Sequence, residues 1–139
     1  MRAVTQPIPA LLHLDFHPMN VLTDGKRITA VLDWVNAMPG DPRADLARTV
    51  SILRVGPISP EPLPIEIRRL RRALERAWRQ GYHEAAGKLG DMPVFFALAG
   101  VVMQDELKQR VASPDHWLQP QHLAPLRRWT RYWRHCTGA

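Results

Sequence analysis

Two short runs rich in β-branched residues, Val21-Leu22-Thr23 and Ile28-Thr29-Ala30-Val31-Leu32, flank the segment Asp24-Gly25-Lys26-Arg27. An Asp-Gly pair between such runs is a strong short-range signal for a β-hairpin, because glycine takes the turn's positive φ without steric cost. A hairpin ties its two ends together, so whatever enters at Asn20 must lie near whatever leaves at Asp33. With residues 24–27 as the turn, Thr23 is predicted to face Ile28 and Asn20 to face Val31. Asp33 then lies one same-face step beyond Asn20's partner.

Downstream of the hairpin the pattern becomes helical. Residues 36–41 read as a loop around Pro39-Gly40, with Asp41 as an N-cap and Pro42 at the first helical position, where its missing N–H costs nothing. Leu46, Val50 and Leu53 follow at spacings of four and three, which predicts a helix to about Arg54. Four prolines between Gly56 and Pro64 make an extended, exposed connection. Ile67, Leu70, Leu74 and Trp78 mark the inner face of a second helix. A third runs from about Pro93 to Val111 and is apolar nearly all round in its first half, so it is expected to be central and buried. Ser113-Pro114-Asp115 ends it, and a last helix spans about Gln121 to His135, with Leu123, Leu126, Trp129 and Trp133 inward. Ahead of the hairpin, residues 1–10 are an irregular lead-in and Ala10 to Leu14 a short strand or the end of a buried element. The expected fold is α+β, mainly α: one hairpin followed by about four helices.

Composition bounds the class. A chain of 139 residues, 45% hydrophobic and 23% charged, fits a single domain over 1–139 with one core. Its densest apolar stretch, Val94 to Met103, is about half of a membrane span. The first residues carry Arg2 but no apolar leader segment, and the lone Cys136 allows no internal disulfide, which suits a reducing cytoplasm. The net charge of +6 invites a nucleic-acid reading, but the excess is arginine on the second and fourth helices, where a solvated outer face, an anionic substrate or a partner surface explains it as well.

Chemistry concentrates in residues 11–45, which divide into a catalytic and metal loop ahead of the helical part, 46–139. Asn20 and Asp33 bring an amide oxygen and a carboxylate to one end of the hairpin, and both are hard ligands suited to Mg²⁺. Asp15 lies five residues before Asn20 on a loop that must reach the same end. Singly, each residue has a plain explanation: Asp and Asn favour strand ends, a lone histidine such as His13 is commonly a buried core residue, and Asp41 is first of all a cap. Together, His-x-Asp-x-x-x-x-Asn, an apolar hairpin and then Asp follow the order of a kinase catalytic loop and its metal-binding aspartate.

The segments His13-Leu14-Asp15-Phe16-His17-Pro18-Met19-Asn20-Val21-Leu22, Val31-Leu32-Asp33-Trp34 and Gly40-Asp41-Pro42-Arg43-Ala44-Asp45-Leu46-Ala47 resemble the aminoglycoside phosphotransferase and choline kinase-like family. The resemblance implies a protein-kinase-like C-terminal lobe and transfer of phosphate from ATP or GTP, with Mg²⁺, to the hydroxyl of a small molecule. On matching positions it implies that Asp15 is the catalytic aspartate and that His13 braces its loop. Asn20 and Asp33 would hold Mg²⁺ against the nucleotide phosphates, Asp45 would order the loop after the metal site, and His17 would support the site. Two positions depart from the family pattern: Leu14 stands where glycine is usual, and Val35 where an acidic residue is common.

Only twelve residues precede His13, and Lys26, Lys88 and Lys108 all follow it, so the phosphate-covering loop and lysine of a kinase-like N-lobe are not within this sequence. The expectation is therefore a C-lobe that needs an N-lobe from elsewhere. It would associate with a lobe-bearing partner or a second copy through apolar surface around the catalytic loop and around Phe95 and Phe96. An inactive remnant serving as a binding or oligomerising module is the alternative. A His13, Asp15 and His17 metal cluster of a hydrolase ranks third. The acceptor pocket would draw on Trp78, Trp117, Trp129 and nearby acids.

Overall fold

The computed structural model describes residues 8–138. The hairpin forms as β2 (Val21–Thr23) and β3 (Ile28–Val31), with Gly25 at φ 88 in the turn. Asp24 Oδ1 accepts the backbone N–H groups of Lys26 and Arg27 at 2.8 Å each, and these bonds hold its carboxyl below the ordinary range. Thr23 faces Ile28 as expected, but Leu22 faces Ala30 and Val21 faces Val31. The extra residue, Thr29, is absorbed in a bulge that shifts the register by one. The expected pairing of Asn20 with Val31 is thereby corrected: the Asn20 carbonyl accepts the Leu32 N–H at 2.8 Å, and Asp33 follows directly.

A second strand pair lies outside what the sequence pattern predicts. β1 (Ala10–Leu12) runs antiparallel to β4 (Met38–Gly40), with Ala10 opposite Gly40 and Leu12 opposite Met38. The loop expected at 36–41 therefore contains a strand. Pro39 is tolerated because a two-stranded ribbon has only edges, and an edge position can dispense with a donor. At Gly40 a Cβ would stand 2.9 Å from Leu12 Cδ1, so the two strands close tightly there. This ribbon closes the base of the excursion that carries His13, Asp15, Asn20 and Asp33.

Four helices follow: α1 (Pro42–Val55), α2 (Ile65–Ala86), α3 (Met92–Val111) and α4 (Ala124–Cys136), the last preceded by a short 3₁₀ turn at Pro120–Leu123. Asp41 caps α1 through the Arg43 N–H, with Pro42 in its first turn, as expected. The core lies where Leu46, Ala47 and Val50 of α1 meet Phe96 and Ala99 of α3, ringed by Trp78, Tyr82, Trp129 and Trp133. At Gly100 a Cβ would stand 2.3 Å from Thr130 Oγ1, so α3 and α4 touch nearly backbone to side chain.

Two helix faces differ from expectation. Ile67, Leu70 and Leu74 of α2 are exposed, while Arg71, Glu75, Trp78 and Tyr82 turn toward the rest of the fold. The inward stripe keeps Trp78 and is otherwise rotated by roughly 65° of helix. Arg71 causes much of this by capping the end of α1, donating to the carbonyls of Ile52, Leu53 and Gly56 at 2.8–3.0 Å. Glu75, wholly buried, pairs with Arg54 Nη1 at 3.0 Å across the same interface. In α3 only one face is buried. Phe96 is 6% exposed, and the bare residues are Val94, Leu98, Val101 and Val102. The expectation of a bare surface at Phe96 is corrected accordingly, because Trp129 and Trp133 cover its ring at 5.5 and 4.5 Å. Among the described residues no helix is long and apolar enough to cross a membrane.

Candidate active site

β1 delivers the chain to His13, which is 4% exposed. Its Nδ1 accepts the Asp15 backbone N–H at 3.2 Å, which leaves the ring proton on Nε2, 2.8 Å from the Leu32 carbonyl. One imidazole therefore joins the loop at Asp15 to the strand end just before Asp33. Trp34 packs on that imidazole at 4.6 Å.

Between His13 and Asp15 the backbone passes through Leu14 at φ 63, a left-handed conformation that a side chain bearing a Cβ resists. Its N–H donates to Asp45 Oδ1 at 2.7 Å and its carbonyl accepts Arg48 Nε at 3.1 Å. Asp45 and Arg48 stand three apart on α1, on the same helix face, and grip both peptide groups of the strained residue.

Asn20 completes the loop. Its Nδ2 donates to the Asp15 carbonyl at 2.9 Å and lies 3.4 Å from Asp15 Oδ2. Its own carbonyl holds the Leu32 N–H, so the Leu32 peptide is bonded to His13 on one side and Asn20 on the other. Asp33 comes next, exposed and at φ 59, a conformation aspartate tolerates better than most residues. His17 caps the 3₁₀ turn Pro18–Asn20 by accepting the Met19 N–H on Nδ1, which points its Nε2 proton toward Asp15 Oδ2, 3.7 Å away.

The structure thus brings His13, Asp15, His17 and Asn20 into direct contact, attaches Asp45 through Leu14, and places Asp33 beside Asn20's strand partner. Among the described residues no three His, Cys, Asp or Glu side chains are placed to hold a metal ion together. His13 is committed to Leu32, so the His13, Asp15 and His17 hydrolase cluster does not assemble.

Two cavities meet at Asp15. One, about 640 Å³, is walled mainly by apolar side chains from α1, α2 and α3; the other, about 550 Å³, is polar and includes Asn36, Asp105 and His116. Asp15, Arg48, Glu106 and Arg110 border both. Trp78, Trp117 and Trp129 line neither, contrary to expectation: Trp78 stacks with Phe16 and Tyr82, Trp129 with Phe96, and Trp117 with His116 and His122. Arg48, Glu106 and Arg110 escape a sequence reading. Only Arg48 carries a signal there, through its helical spacing from Asp45.

The sequence model of the phosphotransferase enzyme family (APH) matches residues 2–88, from before β1 through the end of α2. The chain belongs to this phosphotransferase family. Hygromycin-B 4-O-kinase of Escherichia coli is 57% identical over 37 residues, which are 27% of this chain and 11% of that enzyme. The similarity thus reaches only a small part of the relative's length. No solved structure matches the chain. The phosphotransferase match contains the loop and strand residues from Ala10 to Gly40, α1 and α2, whereas Asp105, Glu106, Arg110 and His116 lie beyond it.

Proposed function

We propose that residues 11–45 are the catalytic and metal-binding part of a kinase-like C-terminal lobe that moves a phosphoryl group from ATP or GTP to the hydroxyl of a small molecule. The lobe that grips the triphosphate is supplied by polypeptide outside these 139 residues. The observation that supports this reading is the Leu32 backbone, bonded to both His13 and Asn20, which ties the Asp15–Asn20 loop to the strand end just before Asp33.

The residues present fit Mg²⁺. The amide nitrogen of Asn20 is spent on Asp15, which leaves Oδ1 as a hard oxygen donor, and the exposed Asp33 follows Leu32, whose N–H bonds the Asn20 carbonyl. When bound, the ion would neutralise charge on the nucleotide phosphates. Asp15 orients the acceptor hydroxyl and takes its proton. The hydroxyl oxygen bonds to the terminal phosphorus while the bond to the bridging oxygen breaks, and that electron pair leaves with the nucleoside diphosphate. Asn20 Nδ2 and His17 Nε2 hold the Asp15 carboxylate in direction. His13 touches no substrate and positions the loop from behind. The relative's name specifies hygromycin B as its acceptor; the acceptor here is a small-molecule alcohol.

One observation favours a second reading, an inactive relative that folds and binds a partner. Leu11, Leu22, Ile28, Val35 and Met38, on or near the strands around the site, are 50–81% exposed. Such a patch is seldom bare on a monomer, and an N-lobe partner or a second copy covering it would bury at least about 1,000 Å² in total.

Calorimetric titration with Mg²⁺–ATP separates the readings. Binding is expected in the native chain and is lost in Asn20→Ala and Asp33→Ala; unchanged heats in Asp33→Ala would remove the metal and nucleotide assignment. The isolated chain should transfer no phosphate, since in-line positioning of the kind a second lobe provides is worth about 7–11 kcal/mol. ATP-dependent phosphorylation by the purified chain, abolished in Asp15→Ala, would overturn the need for a second lobe and confirm the role of Asp15.

A further inference from the structure

The cavity of about 640 Å³ beside Asp15 is within the size range of small-molecule sites, and its composition constrains what enters. Ile52, Leu53, Ile58, Leu74, Met103 and Leu107 form its walls. The charged residues of this cavity and its polar neighbour are three carboxylates, Asp15, Asp105 and Glu106, and three guanidiniums, Arg48, Arg71 and Arg110. The two signs are equal in number, and part of the negative charge is already paired. Glu106 is paired with the half-buried Arg48, which also holds the Leu14 carbonyl, and Asp105 faces Lys108 Nζ at 3.8 Å. Arg71 is spent on backbone carbonyls but keeps its positive charge at the cavity wall. The exposed Arg110 adds another. A ligand with several ammonium groups would therefore find no excess of carboxylate over guanidinium, and an apolar wall that cannot solvate a cation.

From this balance we propose that the acceptor is a predominantly apolar, uncharged alcohol whose body fills the cavity between α1, α2 and α3 and whose hydroxyl meets Asp15, and not a polyamine or other polycation. The proposal rests on the reading of Asp15 as the residue that receives the acceptor's proton. It does not depend on the metal site, so it can be tested without nucleotide.

The probes are decane-1,10-diol and decane-1,10-diamine, equal in length and differing in their ends. Each is titrated calorimetrically into the purified chain and into Leu74→Lys and Arg110→Glu. Leu74 is 40% exposed at the cavity wall and Arg110 lies on the surface, so both variants should fold, which circular dichroism verifies. The diol is expected to bind at least about tenfold more tightly than the diamine, a gap equal to about 1.4 kcal/mol. Leu74→Lys should weaken the diol by about tenfold or more, and Arg110→Glu should narrow the preference by raising the affinity of the diamine. The proposal is overturned if the diamine binds as tightly as the diol, if neither binds, or if Leu74→Lys leaves the diol unaffected and so places it on the exposed strand face. Because no nucleotide is present, failure here leaves the Mg²⁺–ATP titration to decide the phosphotransfer reading separately.

Discussion

Asp45 sits in the first turn of α1 and holds a residue it is 31 positions away from, so its removal tests how the active loop is kept in shape. Its Oδ1 accepts the Leu14 N–H at 2.7 Å in a partly buried setting. A hydrogen bond to a charged group is worth about 1.5–3 kcal/mol, and a carboxylate in the first turn of a helix adds about 0.3–1 kcal/mol. Leu14 at φ 63 stores about 1–2 kcal/mol of backbone strain that this bond and Arg48 hold in place. Asp45→Ala removes both favourable contributions and is expected to destabilise the chain by about 2–4 kcal/mol. Asp45→Asn keeps an acceptor oxygen and loses only charge, for about 1 kcal/mol. Urea unfolding followed by circular dichroism reads both. A loss under about 0.5 kcal/mol for Asp45→Ala, or equal losses for the two variants, would refute the argument that a charged acceptor braces the strained loop.

At the contact of α3 with α4, Gly100→Ala would put a Cβ 2.3 Å from Thr130 Oγ1. Overpacking of about 1–3 kcal/mol outweighs a helix-propensity gain of about 1 kcal/mol, so a net loss is expected in urea unfolding, and a gain would refute the close packing. Asp41 is held below its ordinary 3.8 by the Arg43 side chain bonded to it, so its folded pKa lies under its unfolded one. Its contribution is therefore present above about pH 4 and is lost as pH falls through the depressed value. Asp41→Asn should be less stable than the native chain at pH 7 and converge with it only in acid below the depressed folded value; a stability gap that persists there would show that the ion pair is not its source.

Much of the architecture was legible because its signals are local. Asp24-Gly25 announces the hairpin, Asp41-Pro42 the start of α1, and apolar spacing the four helices. Three features were not, each for a tertiary reason. The β1–β4 ribbon consists of three-residue strands, one carrying Pro39, too short to show a period. The register of the hairpin moves by one because Thr29 bulges. The inward face of α2 is set by Arg71 reaching the carbonyl end of α1, which overrides the stripe of Ile67, Leu70 and Leu74. At the candidate site, the contact of His13, Asp15 and Asn20 was legible because they lie within eight residues of one another. Glu106 and Arg110 could not, since α3 reaches Asp15 only through packing on α1. Leu14 is the clearest case of geometry explaining sequence. The position where the resemblance leads one to expect glycine is left-handed, and here the leucine is tolerated because α1 bonds both of its peptide groups.

The central claim is that Asn20 and Asp33 form one oxygen-ligand pair at the end of the hairpin. Titrating Mn²⁺ into the ¹⁵N-labelled chain tests it most directly, because paramagnetic broadening marks the amides around the bound ion. Broadening is expected to centre on Asp15, Asn20 and Asp33 and to be lost in Asp33→Ala and in Asn20→Ala. Broadening centred elsewhere, or an unchanged pattern in Asp33→Ala, would contradict it.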